Sequence, residues 1–250
     1  MKLRSALELS ATLRLLSGLH IGAGKETIEI GGMDNPVMRH PVTREPYIPG
    51  SSLKGKLRCL LEWHRGSVEA DGSVWGSKKD GEYQNTDPIL RLFGTTHKGW
   101  EGGPTRLLVR DAPLDPDWVR QMVENGLDLT EEKMEVSIDR IKGKAKDGGL
   151  RRTERVPAGA AFLVKMRIRQ FHMDNEKDQD ENNLQEALLD AMVLLEWDAL
   201  GGSGSRGYGR VQFSELQLNG RSIEEQFEER KAALSSQLAP SSSQPGQAAA

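Results

Sequence analysis

An α+β fold with a βαββαβ core is what this 250-residue sequence predicts, and three observations carry the prediction. Leu7, Leu9, Ala11, Leu13 and Leu15 recur at every second position with polar residues between them, which is the pattern of a half-buried strand. In "GSSLKGKLRCLLEW", Leu53, Leu57, Leu60 and Leu61 fall at helical spacing, and Ser51 or Ser52 offers an N-cap. A second helical pattern runs from about Asn183 to Leu200, with Leu184, Leu188, Met192, Leu195 and Ala199 on one face and Gly201 as a C-cap.

The remaining strands fill in around these. "TRLLVRDA" reads as a short strand, and "RVQFSELQL" as the last one. Met134, Val136 and Ile138 alternate, as do Phe162, Val164, Met166 and Ile168, with the basic stretch "IKGKAKDGGLRRTERVPAG" between the two runs. That pairing predicts a projecting hairpin with a long basic tip. Strand, helix, strand, strand, helix, strand is the order of the split βαβ, or ferredoxin-like (RRM-like), arrangement. Residues 1–221 are expected to form a single such domain. Residues 19–50 are Gly- and Pro-rich and read as loop with short extended pieces, and residues 66–100 as an insertion. A surface helix is expected over 222–238, and "SSQLAPSSSQPGQAAA" is too poor in bulky apolar residues to order, so 239–250 reads as a disordered tail.

Composition narrows the function classes. No apolar run reaches membrane-spanning length and the N-terminus has no continuous apolar core, so a cytoplasmic protein without a membrane partner is expected. Cys59 is the only cysteine, which excludes an intramolecular disulfide and a multi-cysteine zinc site. The net charge of −3 argues against nucleic acid at first sight. The distribution argues the other way. Acid gathers in 174–183 and 224–229, while base gathers in 54–58, in 140–152 and in the loop "GGSGSRGYGR" of 201–210. Charge runs are ordinarily solvated faces, but these basic ones are interleaved with Gly and Ser rather than with acid.

The glycine loop holds G-x-G-x-x-G at Gly202, Gly204 and Gly207, yet it follows a helix and precedes a strand. A dinucleotide site needs the reverse order, and no Lys-Ser or Lys-Thr completes a Walker loop. A helix C-cap and tight turn accounts for Gly201 and Gly202. It does not account for five glycines in nine residues among Ser203, Ser205, Arg206 and Tyr208. Glycine admits a polyanion close to the backbone, arginine bonds phosphate, and tyrosine can stack on a base, so a phosphate-backbone loop is the favoured reading.

The loop does not stand by itself. "LHIGAG" after the first strand, "YIPGSSLKGKLR" at the first helix, "RLFGT", "DR" at Asp139 and "RVPAGAAF" resemble the RAMP superfamily of CRISPR-associated RNA-binding proteins, and within it the backbone subunit of type III-A effector complexes. The resemblance spans Leu19 to about Val211. It implies a subunit that polymerises along CRISPR RNA beside further copies of itself, with large, small and capping subunits as partners, and that cuts bound target RNA at regular intervals. The resemblance also assigns residues. The segment "IGGMDNPVMRHP" matches the family's cleavage loop, which makes Asp34 the catalytic residue and the ligand of Mg²⁺ or another divalent cation; by residue type alone "GGMDNP" is turn chemistry. His20, Ser51, Ser52, Lys54, Arg58, Arg140, Gly202, Gly204, Ser205, Arg206, Gly207 and Tyr208 are the expected RNA contacts, and residues 134–157 the family's thumb. Relatives carry a cysteine- and histidine-containing zinc site after the first helix. Here that region offers only His64 and His97, so no structural zinc is expected. The alternative reading is a non-catalytic filament subunit; a guide-processing nuclease and a nucleotide-dependent enzyme rank below it.

Overall fold

The computed structural model describes residues 1–24, 35–78, 80–172 and 179–238. Asp34 and the expected tail at 239–250 lie outside them. The predicted first strand forms as β1 (Lys2–Leu15), and after it β2 (Tyr47–Ile48) leads into α1 (Gly50–Arg65). The 66–100 region then contributes α2 (Pro88–Phe93), followed by β3 (Leu107–Val109), β4 (Ala112–Pro113) and α3 (Pro116–Glu124). Next come β5 (Glu131–Asp139), β6 (Lys144–Arg155), β7 (Ala161–His172), α4 (Gln179–Trp197), β8 (Val211–Leu218), β9 (Arg221–Ser222) and α5 (Glu224–Leu238).

The main sheet is antiparallel throughout, in the order β3-β7-β1-β8-β9. Its register explains the alternation seen in the sequence. Leu9, Ala11 and Leu13 stand opposite Met166, Val164 and Phe162. All six are almost fully buried, because strand period two sends them to one face. That face meets Leu53, Leu57, Leu60 and Leu61 of α1 and the apolar side of α4. A bulge in β8 lies opposite β1 between Ser10 and Thr12. It places Glu215 at a positive φ of 55°, and Thr12 donates a 2.6 Å hydrogen bond to its carboxylate.

Helix α4 is buried on more than its predicted face: Leu189, Ala191 and Val193 are enclosed as well. The cause is α5, which packs on α4 and β8 through Phe227 and Leu234. Phe227 meets Phe213 edge-on at 6.3 Å. Arg230 fastens the same helix by forking onto the buried Asp190 with two 2.8 Å hydrogen bonds and reaching Glu186 at 3.2 Å. Arg230→Met should therefore lower the stability read by urea unfolding by about 1–3 kcal/mol, because it leaves a buried carboxylate without its partner. An unchanged midpoint would show that α5 does not hold the core.

Three expectations are corrected. Helix α1 begins at Gly50, one residue ahead of the serines, with Pro49 at the cap position and no side-chain cap of its own. Its first N–H donates instead to the Asp111 carboxylate at 2.7 Å. A Cβ at Gly50 would lie 2.6 Å from the Val109 carbonyl, so glycine lets the helix start against that strand. Second, α4 ends at Trp197, so Gly201 is not its C-cap. Third, the runs 134–138 and 162–168 do not pair with each other. Residues 162–168 belong to the main sheet, and the hairpin is β5 against β6, so the basic stretch expected at the tip is itself a strand. Apart from its foot, where Thr153 and Glu154 are buried, this ribbon covers no core face: Met134, Val136 and Ile138 alternate along β5 but all stay exposed. Cross-strand charge pairs hold it, among them Glu131 with Arg155 at 2.6 Å and Glu132 with Arg152.

Within 66–100, Trp75, Tyr83 and His97 stack edge-on in series, each pair at 5.1 Å. The Tyr83 hydroxyl donates to the buried Glu69 at 2.6 Å. That bond, with Lys78 and the Gly76 N–H, holds the Glu69 carboxyl below the usual carboxylate range against the opposing effect of burial.

Candidate nucleic-acid interface

A cleft of about 620 Å³ opens where three separate segments meet. The segment after β1 brings His20, Ile21 and Gly22. The N-terminal half of α1 brings Ser51, Ser52, Gly55, Lys56 and Cys59, and the segment after α4 brings Leu200, Gly201 and Gly202. These are the three stretches singled out in the sequence, now side by side.

Backbone hydrogen bonds lace the glycine loop onto the β1 exit. Gly209 N–H donates to the Gly18 carbonyl at 2.9 Å, Leu200 N–H to Gly209 at 2.8 Å, and Gly202 N–H to His20 at 2.9 Å. Gly201 and Gly209 adopt positive φ of 76° and 69°. A Cβ at Gly201 would strike the His20 carbonyl oxygen, and one at Gly209 the Leu200 carbonyl oxygen. Between them Gly204–Arg206 forms a 3-10 turn that leaves Ser205, Arg206 and Gly207 exposed.

Helical phase decides what α1 offers the cleft. Ser52, Lys56 and Cys59 flank the leucine stripe on one side, Lys54 and Arg58 on the other. The second flank is covered by the chain itself. Arg58 donates to Glu62 at 2.7 Å, to the Gly94 carbonyl at 3.0 Å and to the Trp75 carbonyl at 2.6 Å. Lys54 donates to the Leu107 carbonyl at 3.2 Å, and burial, with the nearby Arg58 and Arg169 charges, lowers its pKa below the ordinary lysine value. Neither lines the cleft. The lysine that does is Lys56, which the sequence reading passed over. It pairs with Asp198 at 2.9 Å and lies 5.6 Å from the centre of the Trp63 ring. With the helix start already capped by Asp111, the Ser51 and Ser52 hydroxyls carry no capping bond. A Cβ at Gly55 would meet nothing within 4 Å, so the protein's own packing does not demand that glycine.

Tyr208 is 1% exposed and is not placed to stack on a base. Its hydroxyl donates to Glu135 at 3.1 Å, and Lys133 and Arg155 sit over its ring at 4.4 and 5.1 Å. Burial, reinforced by the Glu135 carboxylate, pushes the phenol above its ordinary pKa. Tyr208 is thus the latch between the glycine loop and the base of the hairpin. Arg140 sits at the turn between β5 and β6, exposed, its guanidinium 3.3 Å from the Ile138 carbonyl. It belongs to no segment lining the cleft.

The rim of the cleft also carries a stem formed by residues 21–23 and 35–38, which flank in sequence the segment that holds Asp34. Ala23 N–H donates to Pro36 at 3.1 Å and Met38 N–H to Ile21 at 2.8 Å. Glu154, buried to 8% exposure at the foot of β6, ties this stem down. Its N–H donates to Asn35 O at 3.1 Å, and its carboxylate accepts from Val37 N–H at 2.8 Å, from Thr130 at 2.9 Å and from Arg39. Its carbonyl lies 2.7 Å from His20 Nδ1. Nothing local in "TERV" marks Glu154 for this role, which exists only once β6 meets the stem. Among the described residues, no three His, Cys, Asp or Glu side chains gather as a metal site, and no helix is long and apolar enough to cross a membrane.

The RAMP superfamily model matches residues 12–212. A Methanocaldococcus jannaschii protein, CRISPR system Cms endoribonuclease Csm3, is 40% identical over 220 residues, covering 86% of this chain and 82% of its own. The Csm3 endoribonuclease of Mycobacterium tuberculosis is 37% identical over 220 residues, covering 84% of this chain and 87% of its own. A chain in the crystal structure of the Csm3–Csm4 subcomplex of the type III-A CRISPR-Cas interference complex aligns with a TM-score of 0.54 and 26% identity, over 94% of this chain and 98% of that one. This chain belongs to the RAMP superfamily, and within it to the family of the Csm3 endoribonucleases.

Proposed function

We propose that this protein is the backbone subunit of a type III CRISPR effector complex, an endoribonuclease that lies along CRISPR RNA and cuts complementary target RNA at regular intervals. The observation that carries the reading is the cleft. Its three walls are "LHIGAG", the start of α1 and the glycine loop, in a chain 37–40% identical to CRISPR endoribonucleases over most of its length. The sheet order supports reading residues 1–221 as one ferredoxin-like domain with an inserted 66–100 region and a thumb formed by β5 and β6.

The guide's phosphates fit the start of α1, where the helix dipole and Lys56 favour an anion, and the exposed part of the glycine loop at Gly202 and Ser205 to Gly207. Asp111 offsets part of that dipole, so Lys56 and the glycine loop supply the larger share. Sequence is read by base pairing, so the protein needs only backbone contacts. Partners are further copies of this chain, the target RNA, and the large, small and capping subunits of the complex.

Cleavage is assigned to Asp34, which directly precedes the Asn35 anchored by Glu154. In this reaction the target's 2′-hydroxyl attacks the adjacent phosphorus and gives its proton to solvent, and the P–O5′ bond breaks as the departing 5′-oxygen takes a proton from solvent, leaving a 2′,3′-cyclic phosphate and a 5′-hydroxyl. A carboxylate with an ordinary pKa of about 3.9 is a weak base at neutral pH but a good hard-oxygen ligand. A single carboxylate together with substrate phosphate oxygens is a donor set that suits Mg²⁺, and Asp34 would hold the ion. When bound, such a cation supplies positive charge where the phosphate oxygens become more negative. Glu154 and Arg39 keep the loop's stem in place.

The assembled complex tests the proposal. With Mg²⁺, a labelled RNA complementary to the guide should give evenly spaced products, and EDTA should abolish them while the target stays bound. Cutting that ignores guide complementarity, or that continues in EDTA, contradicts it.

A further inference from the structure

The His20 imidazole is held at one nitrogen and open at the other. Its Nδ1 lies 2.7 Å from the Glu154 carbonyl oxygen. A carbonyl oxygen only accepts, so Nδ1 carries a proton, and in the neutral imidazole that tautomer leaves Nε2 as the acceptor. Among the described residues nothing hydrogen-bonds Nε2. Two glycines leave that edge of the ring uncovered. A Cβ at Gly22 would lie 3.3 Å from Nε2, and one at Gly202 would lie 3.6 Å from Cδ2. His20, Gly22 and Gly202 all line the cleft.

An acceptor on that wall selects its ligand chemistry. A phosphate diester offers only acceptors, and two acceptors facing each other repel. The ribose 2′-hydroxyl offers a donor, and it is the group that distinguishes RNA from DNA. Division of labour within the cleft follows: Lys56 and the glycine loop meet phosphates, and Nε2 meets sugar. We infer that His20 Nε2 accepts a hydrogen bond from a guide-strand ribose 2′-hydroxyl, which makes His20 the residue through which this cleft prefers RNA over DNA. The inference rests on the cleft being the guide-binding surface. Glu154 takes part as a positioning residue, since its carbonyl fixes which nitrogen carries the proton.

Binding of the full chain to guide RNAs tests this, each guide carrying one 2′-fluoro substitution. Fluorine keeps the RNA sugar pucker but has no proton to donate. The native chain should lose about 3- to 10-fold in affinity at one position or at a regularly repeated set of positions, the usual worth of one hydrogen bond. His20→Phe keeps a flat ring without the acceptor. It should bind the all-ribose guide weaker by the same factor and show no further loss with fluorine at those positions. Gly22→Ala crowds Nε2 while leaving His20 intact, and should reproduce both effects in milder form; it decides the matter if His20→Phe does not fold. If the native chain binds no guide RNA, the functional reading itself fails. If it binds, but no position carries a fluorine penalty, or the penalty persists undiminished in the variants, the acceptor role is wrong. A salt-dependence slope reduced by about one in His20→Phe, without coupling to ribose, would place His20 on a phosphate and overturn the inference equally.

Discussion

Gly209→Ala is expected to destabilise the protein by on the order of 2–6 kcal/mol and to abolish guide binding in whatever fraction remains folded. Two costs add. Gly209 has φ of 69°, a conformation that costs a non-glycine residue about 1–3 kcal/mol. The new methyl would also collide with the Leu200 carbonyl oxygen, while Gly209's own N–H and carbonyl are both committed, to Gly18 and to Leu200. The backbone cannot relax without breaking the bonds that lace the loop to the β1 exit. Gly207 makes the matched control. It too has positive φ, 86°, but a Cβ there would meet nothing within 4 Å. Gly207→Ala should therefore cost only the conformational part. Chemical denaturation of both variants checks this, and equal losses would show that the loop's close approach to Leu200 is not what fixes it.

The sequence made the main sheet legible for a physical reason. Strands β1, β7 and β8 bury one face, and burial forces alternation that a reader can count. The hairpin was misread because the alternating run of β5 stays exposed and so does not mark its partner, which is the charged β6 held by cross-strand ion pairs. The start of α1 was misplaced because its cap, Asp111, arrives from 61 residues away in sequence. Lys54 and Arg58 show the same limit. Helical phase identifies two flanks beside a leucine stripe, but which flank the rest of the chain covers is decided by Trp75, Gly94 and Leu107. Lys56 therefore replaces them at the cleft. Tyr208 looks like a stacking residue in a glycine-rich loop until Glu135, Lys133 and Arg155 close around it. The role of Glu154 had no signal at all. The three stretches singled out in the sequence, "LHIGAG", the α1 start and the glycine loop, do come together: the fold puts residues of each in one cleft.

Asp34→Ala carries the other large effect. Removing the carboxylate should lower target cleavage by at least about 10²–10³-fold, the usual loss when a group that stabilises developing charge is deleted. The effect on guide binding should be small, because the contacts assigned to the guide come from the cleft walls and not from this carboxylate. Assembly should survive as well, since the stem on either side is held by Glu154, Arg39 and the backbone bonds between residues 21–23 and 36–38. Asp34→Asn sharpens the reading. It keeps the side chain's shape and its turn-forming capacity but removes the charge, so a residue that only shapes the turn would tolerate it.

The most direct measurement compares the native chain, Asp34→Asn and Asp34→Ala in the assembled complex, reading cleavage of labelled complementary RNA and target binding from the same preparations. Evenly spaced products from the native chain alone, with all three complexes binding the target alike, is the predicted result. If either variant cuts as the native chain does, Asp34 is a turn residue and this subunit does not carry the cleavage site proposed for it.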